Sequence, residues 1–288
     1  MPSTSYPHYA WAGGHFAVLL GTALSLLGRG AKAYRIAYLG ALVSWGIVVY
    51  KSLGTPQVNR AYLQRALLDE NVQYLLLALY WFLQASLKPI YVTLIPFATF
   101  SLFHALTFVR TSVLPKPPAG TGAKSTSGSG SGSGSTQAQQ QAMSAGAQAS
   151  KMIQTWVKAN YEKAMQFVAF VEVVVVFGRV LFGALLFQNS LLAPLFFAHF
   201  LRLRYYLSPP TRKAFAWVSN RVDEYTVRNS KCPPVVTKAV KVVRELIIRY
   251  SESIISVQQP GAAAAGAGGA GAAGGAAGGA AAEARRNR

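Results

Sequence analysis

Glu172 and Arg179 lie inside the apolar run Ala164–Phe187, which is long enough to cross a bilayer. Each would cost about 3 kcal/mol if it faced lipid at mid-depth. A spacing of seven puts them on one helix face two turns apart, roughly 10 Å along the axis. A direct ion pair at that distance requires both side chains to be fully extended. A proton relay or transport site is the chemistry such a pair would serve, but one acid and one base make a short relay. His104, inside the apolar run Ile90–Val109, is expected to be a packed, hydrogen-bonded histidine rather than a ligand. The remaining histidines, at 8, 15 and 199, have no ligand spacing.

The rest of the chemical inventory is thin. Cys232 is the single cysteine, which excludes an intrachain disulfide and a multi-cysteine zinc site. No phosphate-binding loop, H-E-x-x-H, G-x-S-x-G or EF-hand pattern occurs. Gly266, Gly268 and Gly271 spell G-x-G-x-x-G, but without a strand before or a capped helix after they reflect composition. Nine acidic residues leave few candidates for paired carboxylates. The expectation is a non-enzymatic protein with no cofactor and no metal.

Composition points to a membrane. Apolar residues make up 52% of the 288-residue chain and charged residues 13%, about half the share of a soluble domain. The net charge is +19, which suits nucleic acid or the anionic cytoplasmic face of a membrane. No recognised nucleic-acid module accompanies the charge, so no specific nucleic acid is expected. The absence of Asn-x-Ser/Thr sequons agrees with little luminal exposure. The first ten residues lack Lys and Arg and no cleavage site follows the apolar run, so no cleaved signal is expected.

Four apolar blocks come first: 11–27, 36–50, 72–87 and 90–109. The first two are short and fit a shallow hairpin as well as two full spans. Ala17, Gly21 and Ser25, then Gly40 and Ser44, recur at four residues and offer small faces for close helix approach. Arg29, Lys32 and Arg35 form a basic connector, and 52–71 is an expected interfacial helix. Lys88-Pro89 should turn the chain, and Pro96 is a candidate kink. The Gly/Ser/Gln stretch 115–150 is expected to be a disordered linker between a first membrane half, 11–114, and a second, 151–207, with 1–10 and 260–288 as tails. Within the second half, 190–201 is expected to be a short block broken by Pro194.

Past Leu201-Arg-Leu-Arg204 the pattern becomes amphipathic. From Thr211, Phe215, Val218, Val222 and Tyr225 step by three and four, a face suited to helix packing or partner contact. From Val235, Val236, Val240, Val243, Ile247 and Ile254 share a face, widened by Ala239, Leu246 and Tyr250, opposite Lys238, Lys241, Glu245, Arg249 and Glu252, with Arg244 added to the basic set. Residues 201–259 hold eleven Lys and Arg against four Asp and Glu. Basic amphipathic helices lie in the interfacial plane of anionic bilayers. Membrane-surface binding is therefore expected for the second helix within the basic region 208–259.

Several stretches carry a family resemblance. Val58–Leu76, Ile95–Phe108 and Leu191–Tyr205 with Thr211, Arg212 and Phe215 resemble the transmembrane protein 33 family, also called the Krüppel homolog 2 family, whose fungal members include a pore-membrane nucleoporin. The resemblance covers most of 10–257. It implies an endoplasmic-reticulum and nuclear-envelope protein involved in membrane shaping and nuclear pore assembly or distribution. Implied partners are reticulon-type proteins and nucleoporins, beside an anionic lipid bilayer; the arginine-ending tail adds an importin-type carrier.

The expected fold is all-α and polytopic, with four to six membrane-embedded helices or hairpins and C-terminal amphipathic surface helices. The alternative functions are an anchor that recruits partners through its basic tail, and a transporter built on Glu172 and Arg179. The positive-inside tendency asks for 28–35, 51–65 and 110–163 all on the cytosolic side. Two full spans cannot provide that, so either the second block is re-entrant or the first connector is a luminal exception.

Overall fold

A computed structural model describes residues 6–28, 30–85, 89–114, 145–228 and 232–252. Residues 1–5 and 260–288 of the expected tails and residues 115–144 of the expected linker lie outside them, whereas 6–10 belong to the first helix. The protein is an all-α, polytopic integral membrane protein. Segments Gly30–Leu53, Tyr91–Val113 and Gly146–Leu185 are each long and apolar enough to cross a bilayer. The chain forms two compact units, 1–189 and 190–288.

In the first unit, α1 (Tyr6–Leu26) and α2 (Gly30–Leu53) contain 21 and 24 residues. At 1.5 Å per residue they are about 31 and 36 Å long, enough to span. The basic connector is shorter than the sequence suggests, because Lys32 and Arg35 belong to α2. Gly28 (φ 81°) and Gly30 (φ 68°) take the left-handed conformations of the turn.

The two helices touch backbone to backbone. A Cβ added to Gly21 would stand 2.7 Å from the Ala37 amide nitrogen, and one on Gly40 would stand 2.5 Å from the Gly14 carbonyl oxygen. Ser44 donates across the interface to the Trp11 carbonyl at 2.8 Å. The small faces expected from Gly21, Gly40 and Ser44 are therefore the contact surface.

Helix α3 (Arg60–Leu68) buries no residue. Asn59 caps its start by accepting from the Tyr62 amide at 2.6 Å. Asp69 then caps α4 (Glu70–Gln84), accepting from the Asn71 and Val72 amides. A single 3₁₀ turn at Tyr91–Thr93 leads into α5 (Leu94–Phe108) and a π-helical turn at Val109–Val113. Pro96 occupies the first turn of α5, where its missing N–H interrupts no bond. The block's irregularity is the π turn, not a proline kink.

These helices alternate in direction. Trp45 of α2 approaches Tyr74 of α4, while the Arg35 guanidinium lies 5.3 Å above the Phe82 ring. Tyr38 meets Phe97, and His8 of α1 meets Phe108. Lys32 and Arg35 consequently lie at one end of the unit, and Lys51, Arg65 and Arg110 at the other. Helices α1 and α2 are long and antiparallel, and the first connector lies at the end of the unit opposite Lys51.

Helix α6 (Ala145–Phe170) begins inside the expected linker and packs on α5, Trp156 stacking on Phe103 at 5.6 Å. It continues through a π turn at Val171–Val176 into α7 (Phe177–Leu185). Helices α6 and α7 fall in the same compact unit as α1–α5, and the compact units part at 189/190.

The second unit contains α8 (Leu192–Leu207), α9 (Pro209–Tyr225) and α10 (Pro234–Glu252). Pro194 falls in the first turn of α8 and does not break it. Pro209 and Pro210 open α9, where proline's fixed φ is favourable. Arg202 and Arg204, expected at the start of a basic surface, are buried.

Candidate functional site

The intramembrane polar residues separate. Glu172 is 1% exposed and accepts a 2.7 Å hydrogen bond from the Tyr74 hydroxyl, 98 residues away. Arg179 is exposed, and a Cβ on Gly183 would collide with its guanidinium and with the Asn189 side chain. The shared face expected from a spacing of seven is lost. Five of the intervening residues lie in or beside the π turn, whose wider i→i+5 winding rotates everything that follows. Glu172 joins α4 to α6 rather than standing opposite Arg179.

His104 is packed as expected. Its ring stacks on His15 at 4.6 Å between centroids and meets Trp11 edge-on at 5.4 Å. His15 Nδ1 lies 3.0 Å from Ser101 Oγ, across 86 residues. Among the described residues, no group of three or more His, Cys, Asp or Glu side chains is placed to hold a metal. A second polar cluster escaped sequence reasoning: the Tyr34 and Tyr38 hydroxyls reach Thr93 Oγ1 at 2.9 and 2.7 Å. The Thr93 hydroxyl in turn donates a hydrogen bond to the Ile90 carbonyl, which satisfies the chain of hydroxyls. Nothing in local spacing pairs residues 55 and 59 positions apart.

In the second unit, Arg212 donates to the Tyr205 and Tyr206 carbonyls at 3.3 and 3.0 Å, closing the last turn of α8. Phe215 packs edge-on against Tyr205 at 5.5 Å. Phe215, Val218 and Val222 are half-buried as the packing face required, whereas Tyr225 is exposed.

Helix α10 divides its predicted surface residues. Lys238, Lys241 and Arg249 are exposed. Arg244 is not free for lipid: it donates to Asp223 Oδ1 at 2.6 Å and to Ser219 Oγ at 3.3 Å, joining α10 to α9. With Arg244 paired, the polar face of α10 holds Lys238, Lys241 and Arg249 against Glu245 and Glu252, nearly neutral. On the apolar side Val236 is exposed and Val240 half-buried. Val235 (75% exposed) and Val242 (56%) widen that surface. At 100° per residue they stand about 100° and 120° from Val236, and so extend the apolar surface toward the side of Arg249. The side chains of Val243 and Ile247, and Ile254 altogether, lie outside the described residues.

Helices long and apolar enough to span a bilayer, joined inside by the Tyr74–Glu172 and His15–Ser101 contacts, define a polytopic membrane protein. The chain belongs to the Transmembrane protein 33/Nucleoporin POM33 family, whose pattern matches residues 7–253. That family is one of transmembrane proteins and nucleoporins, not of enzymes. The chain is similar to Tetra-spanning protein 1 of Schizosaccharomyces pombe, with 28% identity over 92% of this chain and 91% of the relative. It is 32% identical to Nucleoporin POM33 of Chaetomium thermophilum, covering 75% and 76% of the two chains. Pore membrane protein of 33 kDa from Saccharomyces cerevisiae is 29% identical, over 86% and 85%. No solved structure matches the chain.

Proposed function

We propose that this protein is a non-enzymatic component of the endoplasmic-reticulum and nuclear-envelope membrane that supports nuclear pore assembly or distribution. Its spans anchor it, and α10 lies on the membrane surface, where it senses or shapes curvature. One observation supports the reading above the rest: the family match runs through the bare apolar face of α10, well beyond the last candidate span. Relatives named for the nuclear pore supply the compartment. Exposed valines in water are costly, and an interfacial helix recovers about 25 cal/mol for each Å² that lipid covers.

The full-length tagged protein tests this in cells. Wild type should mark the nuclear rim, and Val236→Asp with Val242→Asp should shift it toward general reticulum and cluster the pores. Unchanged rim enrichment and pore spacing would remove α10 from the mechanism.

The adaptor reading has one observation in its favour. Because Arg244 is spent on Asp223, electrostatic attraction to lipid is weaker than the sequence implies, and a protein groove would cover the same valines. Reticulon-type proteins, nucleoporins and an importin-type carrier remain the proposed partner classes. The transport reading draws no support from Glu172, which is engaged by Tyr74, or from Arg179, which is exposed elsewhere.

A further inference from the structure

The end of the first unit opposite Lys51 holds positive charge without a compensating acid. Lys32 and Arg35 are exposed on successive turns of α2. The sequence contains no Asp or Glu between residues 1 and 68. Asp69 and Glu70 stand at the far end of α4, roughly 18 Å along its axis from Phe82, over which Arg35 rests. Of the other two acids of the unit, Glu172 is buried against Tyr74, and Glu162 is exposed on α6, where it accepts from Gln166. A cation near the start of a helix is further disfavoured by the helix dipole. Counter-charge at this end has to come from outside the unit.

A cavity adjoins Lys32, one turn of α2 from Arg35. Below the close contact of Gly21 with Ala33 and Ala37, the ends of α1 and α2 leave a groove of about 280 Å³ lined by Leu24, Lys32, Ala33 and Ile36. Its floor is apolar and Lys32 stands at its rim. Leu20, Ile36 and Leu39 flank it as exposed apolar side chains, the surface a helix presents to acyl chains. Tyr91, partly exposed and edge-on to Tyr34, marks the same level as a membrane–water boundary. A phosphate-bearing, two-part ligand fits: an anionic head at Lys32 and Arg35, and a hydrocarbon chain in the groove.

We infer that this groove seats one anionic glycerophospholipid, its head-group phosphate held by Lys32 and Arg35 and one acyl chain lying against Leu24, Ala33 and Ile36. The seat lies at the less basic end of the unit and so belongs to the leaflet opposite the one that Lys51, Arg65 and Arg110 face. It accounts for two cations that oppose the positive-inside tendency: a lipid head group supplies the missing anion. The inference is independent of α10 and its ligand.

Native mass spectrometry of the full-length protein in detergent tests it, with phosphatidylserine, phosphatidylcholine or glycerol 3-phosphate added. Wild type should retain one phosphatidylserine at least five-fold over phosphatidylcholine. Lys32→Gln with Arg35→Gln should abolish that preference, and Lys51→Gln with Arg65→Gln should leave it. Leu24→Trp, which fills the groove while keeping both cations, should lower retention of the lipid, and Lys32→Arg with Arg35→Lys should preserve it. Equal loss in both glutamine pairs would show diffuse charge attraction and overturn the seat. Retention that survives Lys32→Gln with Arg35→Gln, or competition by glycerol 3-phosphate as effective as by intact lipid, would do the same.

Discussion

The α1–α2 pair and the α9–α10 pair solve the same problem, holding two helices together, by opposite means. Between α1 and α2 the contact is made by backbone and by small side chains, with Gly14, Gly21 and Gly40 leaving no room for a Cβ. Between α9 and α10 it is made by an extended arm, Arg244 reaching Asp223 and Ser219, while valines on α10 stay bare. The solvent explains the difference. Lipid offers no hydrophobic drive for helix association, so shape and dispersion must supply it. Beyond the candidate spans an ion pair can orient a helix while its apolar side chains remain exposed.

The sharpest way to break the comparison is at Gly40. Replacement by Leu forces the two backbones apart and should cost about 3 kcal/mol, read as a lower melting temperature in detergent. A melt within a degree of wild type would mean the helices are held elsewhere. Next in size is Tyr74→Phe, which removes the donor to Glu172 and should cost about 1–2 kcal/mol. Glu172→Gln, which retains an acceptor for Tyr74, should be milder. Solute flux that depends on Glu172 would restore the transport reading.

The helix pair at the surface should respond less. Arg244→Ala or Asp223→Ala should cost about 0.5–1 kcal/mol, since both side chains are partly exposed. Faster amide exchange across 234–252 is the expected signature, and the double variant should add little to either single one. Independent, additive effects would mean that the two residues do not act as a pair.

Smallest of all should be the effect of salt. An environment-sensitive dye on Cys232, the single cysteine, reports burial of the start of α10 in vesicles containing the full chain. Raising salt from about 0.05 to 0.5 M screens exposed charge almost completely. Because the polar face is nearly neutral once Arg244 is paired, the signal should fall far less than with Val236→Asp. A steep salt dependence would return Arg244 to the lipid and undo the contrast between the two pairs.

Much of this was legible in residue patterns. The Gly21, Gly40 and Ser44 spacing announced close packing, and Pro89 and Pro209-Pro210 marked real boundaries. Legibility failed where a helix departed from regular winding or where proline sat in a first turn. The π turn at 171–176 separated Glu172 from Arg179, and Pro96 and Pro194 started helices instead of bending them. The hydrogen-bonded pairs Tyr74–Glu172 and His15–Ser101 join residues whose separation no periodicity encodes.

By itself the sequence determined that this is an all-α, polytopic membrane protein. Apolar content, charge deficit and local period are properties of short stretches, and the bilayer accepts few backbones that can satisfy them. Only the tertiary structure decided which polar groups face one another, that Arg244 is spent on Asp223, and that Lys32 and Arg35 stand beside a groove without an acid. Those outcomes depend on how distant helices meet, and a single helical turn out of register reverses them.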